Sequence, residues 1–255
     1  MRLPCLVLLS AIAAFFAAAP ADAQPSRAPA PRPYRPVAVT LPAALDDASF
    51  EAFRKEFAAV AKGRVYAELE RLVTTQGFFW DRDFGSGFDR RKPAVDNLAA
   101  ALRLERNAGD GWTALARFAA EPALTPLTSR YGIICGPARP GYDAVELDRL
   151  LDMTRTDGTD WLYPRADKVA VRSAPQPNAA VVDTLGLHFV WMLDHVGKDK
   201  ERDAFRNVWV RVATPAGKIG FVAPDALTSL YAERLCYGKD TIGRWHIAGF
   251  IGGGD

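Results

Sequence analysis

The sequence has few of the residues from which catalytic and metal sites are usually built, since its 255 residues include only three histidines and three cysteines. His188 and His195 have a tryptophan between them and no cysteine nearby, a pattern that does not suit a zinc site. A glycine-rich phosphate loop is also missing, because the run Gly252 to Gly254 opens no helix. The sequence therefore predicts no catalytic constellation, no metal site and no cofactor.

An excess of charge of one sign is missing too. Lysine and arginine number 32 against 30 aspartates and glutamates, for a formal net charge of +2. A nucleic-acid-binding protein needs a basic face, so this balance argues against a nucleic-acid partner. Beyond the first residues, no run is long and apolar enough to cross a bilayer.

The first residues, MRLPCLVLLSAIAAFFAAAPADA, have one arginine, then an apolar run, then small residues before Gln24. This is the pattern of a secretory signal peptide, residues 1–23, cleaved after Ala23. A retained membrane anchor is the alternative, but the run is about one turn short of a spanning helix and Pro20 ends it. We therefore expect a periplasmic or secreted protein that meets the membrane only through its transient signal peptide.

Cleavage would remove Cys5 and leave Cys135 and Cys236. In an oxidising compartment an even pair of cysteines favours a disulfide over two free thiols. The alternative, Cys135 as a nucleophile with a histidine as its base, is disfavoured because the cysteine has an apolar lead-in and is followed closely by Pro137. The sequence thus predicts a disulfide between the two cysteines.

Composition divides the remaining chain into four parts. Residues 24–45 are rich in proline and predict an extended linker. Residues 46–158 carry apolar residues at helical spacing, for example Phe50, Phe53 and Phe57, and predict a mainly helical domain. Residues 159–229 show short alternating strands and turns, as in a small β-barrel. Residues 230–255 predict a C-terminal β-hairpin.

The segments VAVRSAPQPNAAVVDTLG and NVWVRVATPAGKIGFVAPDAL resemble the bacterial SH3-like domain family. The matching positions are Val171, Arg172, Pro175, Val182, Leu185, Trp209, Val212, Gly217, Gly220, Phe221, Val222 and Leu227. The upstream part is similar to the helical N-terminal half of exported bacterial proteins that end in such a module, and it brings no known activity. The expected fold is α+β, a mainly α-helical N-terminal domain followed by a small SH3-like β-barrel with a C-terminal β-hairpin.

The resemblance implies a targeting or interaction module, in some cases for cell-wall peptide, and it does not imply catalysis. We therefore expect a non-catalytic periplasmic binding or scaffold protein that contacts peptidoglycan or an envelope protein. The candidate binding residues are Trp191, Trp209 and Phe221, although core packing would suit at least two of them. A role in envelope stress or assembly is compatible with the same features.

A cell-wall hydrolase is the alternative, with a carboxylate pair in the helical part drawn from Asp81, Asp83 and Glu105. The stretch FFWDRDFGSGFDRRK around these aspartates also suggests a calcium loop. A calcium-binding EF-hand loop starting at Asp81 would need glycine where Ser86 stands and glutamate where Lys92 stands. The stretch therefore predicts a turn between helices, whose aspartates pair with the neighbouring arginines.

Overall fold

Two large sheets, of six and seven strands, and a two-stranded ribbon carry the fold. The structure, a computed structural model, describes residues 31–82, 85–104, 110–196 and 208–252. The helices within these ranges are α1 (Ala48–Gly63), α2 (Tyr66–Leu72), α3 (Ala94–Leu102), α4 (Asp110–Ala120) and α5 (Ala144–Thr154). The predicted signal peptide and the first part of the predicted linker lie outside the described residues.

The strands are short and follow one another closely in the second half of the chain. In chain order they are β1 (Val39–Thr40), β2 (Phe79–Arg82), β3 (Gly85–Ser86), β4 (Thr125–Pro126), β5 (Ile134–Gly136), β6 (Gly141–Tyr142), β7 (Trp161–Pro164), β8 (Val169–Arg172), β9 (Val181–Leu185), β10 (Val190–Val196), β11 (Trp209–Ala213), β12 (Ile219–Val222), β13 (Leu227–Ser229), β14 (Arg234–Lys239) and β15 (Trp245–Ile251).

Helix α1 forms where the sequence predicts it. The Asp47 carboxylate caps its first turn by accepting hydrogen bonds from the main-chain N–H groups of Ser49 and Phe50. Its aromatic stripe is buried, and Phe57 is completely inaccessible to solvent. Burial of a phenylalanine side chain contributes about 1.5 to 3 kcal/mol, so the stripe fixes the helix against the sheet beneath it.

The six-stranded sheet has the order β3-β2-β15-β14-β5-β4. Strands β14 and β15 pair antiparallel, and β15 pairs in parallel with β2. The face that carries Leu235, Tyr237 and Phe250 packs in one cluster with residues of α1 to α4. The last two strands are therefore the centre of the sheet that supports the helices.

This arrangement corrects the expected fold class. The helices do not form an N-terminal domain followed by a small barrel, because early strands β2 and β5 pair directly with the late strands β15 and β14. The hairpin of the late strands is central and not a terminal extension. The stretch FFWDRDFGSGFDRRK is likewise more than a turn, since Phe79 to Asp81 form ladder partners of Gly249 to Ile251.

The seven-stranded sheet has the order β13-β7-β10-β11-β12-β8-β9. One face carries a buried cluster that comes from this sheet alone, with the members Leu162, Val171, Leu185, Val190, Val210, Val212, Val222 and Leu227. Because several of these side chains are fully buried without help from a helix, the sheet curves around its own apolar face. The opposite face carries Trp161, Tyr163, Phe189 and Trp191.

Candidate functional site

A row of four side chains crosses the outward face of the seven-stranded sheet. Asp194 of β10 lies opposite Arg211 of β11, Arg211 lies opposite Phe221 of β12, and Phe221 lies opposite Arg172 of β8. Val210 and Val212 point into the buried cluster, so strand alternation places Arg211 on the other face. The register therefore sets one half-buried phenylalanine between two arginines.

Two of the three aromatic residues predicted as binding residues lie next to this row. Trp209 is half-buried two positions before Arg211 on the same strand, which makes it a diagonal neighbour of Phe221 across the ladder. We call Arg172, Trp209, Arg211 and Phe221 the outer patch. Apolar rings with flanking guanidinium groups are suited to extended ligands that carry carboxylates.

Trp191, the third predicted binding residue, lies on the same sheet but outside the outer patch. It pairs with Ala213, which is four positions beyond Trp209, so about 13 Å of strand separates the two tryptophans. Its ring stacks on that of Trp161, with ring centroids 6.1 Å apart. Nothing in the sequence indicates that Trp191 lies apart from Trp209 and Phe221, whereas the strand register shows it.

The aromatic face around Trp191 is covered by the chain's own N-terminal segment. We call residues 33–41 the strap. Tyr34 sets its ring edge on Trp161 at a centroid distance of 5.0 Å and 87° between the planes. Val37 and Val39 are buried in the same cluster, and Leu147 and Leu150 of α5 cover it from the helix side. Part of the segment predicted as a linker thus packs on the seven-stranded sheet.

A half-buried ion pair joins the segment after β7 to the segment between α4 and β4. Arg165, which follows β7, donates to the Glu121 carboxylate at 2.6 Å. Arg234 of β14 is buried and donates to Thr125 Oγ1 at 2.9 Å, and its Nε has no hydrogen-bond partner in the part of the chain that the structure describes. Burial lowers the pKa of Arg234, and the nearby Arg139 lowers it further.

The carboxylates proposed for a hydrolase are not brought together by the described residues. Asp81 of β2 forms an ion pair with Arg130 at 3.2 Å, whereas Asp89 pairs with the neighbouring Arg91 at 3.1 Å, as predicted. The Arg130 guanidinium also lies over the Phe79 ring, 4.0 Å from its centroid. Asp83 and Glu105 lie outside the described residues.

Cys135 and Cys236 form a disulfide, and His246 contacts an aspartate. Cys135 and Cys236 are cross-strand partners on β5 and β14, their sulfur atoms are 2.05 Å apart, and the predicted pairing is confirmed. His246 lies 3.1 Å from the Asp240 carboxylate in the β14 to β15 turn. Hydrogen bonds, first of all from the Arg244 main chain, lower the pKa of Asp240. Among the described residues, no group of three potential ligands could hold a metal ion.

Sequence reasoning missed Tyr34, whose hydroxyl makes two hydrogen bonds to the seven-stranded sheet, and Arg211, which lies opposite Phe221 in the ladder. The signal for Arg211 was its place between two buried valines, which fixes the face to which it points. The signal for Tyr34 was an aromatic residue inside a segment with few other residues that could form a core.

Comparison of the chain with protein-family models, with curated proteins and with solved structures finds no match.

Proposed function

We propose that the protein is an exported, non-catalytic binding protein whose outer patch contacts the acidic peptide of the cell wall. The observation that carries this proposal is the cross-strand row in which Phe221 lies between Arg211 and Arg172 on an accessible sheet face. The phenylalanine offers an apolar contact, and the Arg211 guanidinium offers bidentate hydrogen bonds to a carboxylate. The Arg172 guanidinium adds a second positive charge, with its Nη1 already donating to the Ala179 carbonyl at 2.8 Å.

Two further features support export. The cysteine pair between β5 and β14 is the kind of bond that persists in an oxidising compartment. The N-terminal residues have the composition of a cleavable signal peptide. In the described part of the chain no helix is long and apolar enough to span a membrane. The resemblance of residues 169–227 to bacterial SH3-like modules is consistent with a binding role.

Co-sedimentation with purified peptidoglycan tests the proposal. The wild-type protein is expected to sediment with the polymer, and Arg211→Glu is expected to weaken binding by about tenfold or more, since it places a like charge against the ligand's carboxylates. Arg90→Glu makes the same change of charge at an exposed position before α3 and serves as the matched control. Binding should also fall as salt is raised.

Each result has a defined meaning. Equal sedimentation of wild type and Arg211→Glu, or no sedimentation of either, overturns the assignment of the outer patch to cell-wall peptide. The supernatant of the same incubation is examined for soluble fragments. Fragments that disappear with Asp81→Asn would replace the binding proposal with the hydrolase alternative.

A further inference from the structure

The strap makes the contacts of a bound peptide. Its Tyr34 N–H donates to the Pro215 carbonyl and its Val39 N–H donates to the Leu187 carbonyl, both at 3.0 Å. In the reverse direction, Phe189 N–H donates to the Val37 carbonyl at 3.0 Å. These partners lie just outside β10 and β11, and Ala38 forms an isolated antiparallel bridge with His188. Main-chain hydrogen bonds made in both directions are a usual means by which a β-protein binds an extended peptide.

Side chains of the strap fit defined places in the cluster. The Tyr34 hydroxyl donates to the Ala213 carbonyl at 2.9 Å and accepts from the Trp191 N–H at 3.3 Å. Val37 and Val39 are 6% and 5% exposed, whereas Ala38 between them is exposed. The surface thus selects a tyrosine and, three and five positions later, two valines.

The strap can leave without opening either large sheet. Within the described residues its ladder contacts are with β6 and with an isolated bridge at His188, and both large sheets are complete without it. Departure would uncover Trp161 and Phe189, which are both fully buried. An apolar surface of this kind in water is unfavourable, so the vacated place would need another occupant.

We propose that the surface formed by Trp161, Tyr163, Phe189, Trp191 and α5, which we call the aromatic groove, is a peptide-binding site. Its ligand is an extended polypeptide segment of a partner protein that carries proline, tyrosine and two alternate valines with the spacing of the strap. The strap is an intramolecular competitor for the same place. This site is separate from the outer patch and does not depend on its function.

Competition from the strap sets the affinity that a partner needs. A segment joined by a short linker has an effective concentration of about 1 mM. A peptide with an intrinsic dissociation constant of about 10 µM would therefore bind the intact protein roughly a hundredfold more weakly than a protein with a disabled strap. Weakening the strap should increase, and not decrease, the affinity for a peptide added in trans.

The test uses the purified protein and a fluorescent synthetic peptide with the sequence of residues 31–42, with binding followed by anisotropy. Tyr34→Ala is expected to bind this peptide at least about tenfold more tightly than wild type, because its own strap has lost the ring and both hydroxyl hydrogen bonds. A peptide with alanine at the tyrosine position should bind neither protein. Ala38→Ser, at an exposed strap position between the two buried valines, should behave as wild type.

A second variant and a second measurement distinguish the loss of strap contacts from misfolding of the variant. Tyr34→Phe keeps the ring contact and loses only the hydroxyl bonds, so its peptide affinity should lie between those of wild type and Tyr34→Ala. Excess peptide should raise the melting temperature of the alanine variant more than that of wild type. Variants that bind no more tightly than wild type, or that bind tyrosine and alanine peptides equally, overturn the proposal.

Discussion

Arg165 and Glu121 form an ion pair of 2.6 Å that is buried on one side only. The Glu121 side chain is 10% exposed, whereas that of Arg165 is 45% exposed. The second carboxylate oxygen of Glu121 accepts from the Ala123 N–H at 3.2 Å. The carboxylate therefore depends on its partners, while the guanidinium has access to water.

This asymmetry predicts unequal effects of removing either partner. Arg165→Met leaves a buried carboxylate without its cation and should lower the free energy of unfolding by about 2 kcal/mol. Glu121→Gln keeps an oxygen for Ala123 and leaves Arg165 to be solvated, so its cost should be about 1 kcal/mol or less. Urea unfolding of both variants measures the two values, and the reverse order would contradict the prediction.

The disulfide predicts a large stability difference. Its cysteines are 101 residues apart, and closing a loop of that length stabilises the folded state by about 4 to 5 kcal/mol in the chain-entropy model. The double variant Cys135→Ala/Cys236→Ala should lose about this amount in urea unfolding. Both cysteines are fully buried, so a reductant should act on the wild type only when it unfolds.

Mass analysis provides the direct check on this bond. A digest made without reductant should contain a peptide with Cys135 linked to one with Cys236. Two thiols that react with an alkylating reagent in the unfolded, unreduced protein would contradict the pairing.

His188 predicts a dependence of stability on pH. Burial lowers its pKa below the ordinary value of 6.5, and the nearby Asp183 opposes this shift. The unfolded chain therefore binds a proton at a higher pH than the folded protein does, so this residue makes the protein less stable as the pH falls below about 6.5. His188→Gln should remove that part of the pH dependence.

The measurement is the free energy of unfolding of both proteins from pH 7.5 to pH 5. Subtraction of the two curves cancels the titration of groups that do not interact with His188. The stability of wild type relative to His188→Gln should decline toward the acidic end. A difference that stays constant over this range would show that His188 does not titrate differently on folding.

The packing around Gly249 in the six-stranded sheet leaves no room for a larger side chain. A Cβ atom at this position would lie 2.3 Å from the Phe79 ring on the adjacent strand. Gly249→Ala should therefore destabilise the protein by about 1 to 3 kcal/mol, since Phe79 is itself buried and must move. Gly141→Ala is the control, because its Cβ would meet Thr40 at an ordinary 3.7 Å and should have little effect in thermal unfolding.

Local pattern predicted the elements whose determinants are close together in sequence. The stripe of Phe50, Phe53 and Phe57 with its aspartate cap specifies α1 within one short segment. The alternation of Val210 and Val212 specifies the buried face of β11 in the same way. These predictions need only the period of a helix or a strand.

The pairing of strands that are far apart in sequence could not be predicted from such local patterns. Phe79 and Trp80 were expected to anchor a turn, because no residue near them indicates that Gly249 and Phe250 will pair with them in parallel. The strap was predicted as a linker from its prolines, since composition does not show that Tyr34 will meet Trp161. Register and partner choice depend on the whole chain, so the division into helical and barrel parts was wrong.

The parallel pairing of β2 with β15 also constrains the order of events during synthesis. The helices α1 to α4 emerge from the ribosome early, but the two strands at the centre of their sheet span Arg234–Lys239 and Trp245–Ile251. Until these residues are available, Phe57 and Leu98 lack much of the surface that buries them. The nascent chain therefore remains incompletely folded until β14 and β15 have been made, and such a state exposes apolar surface that a chaperone can recognise.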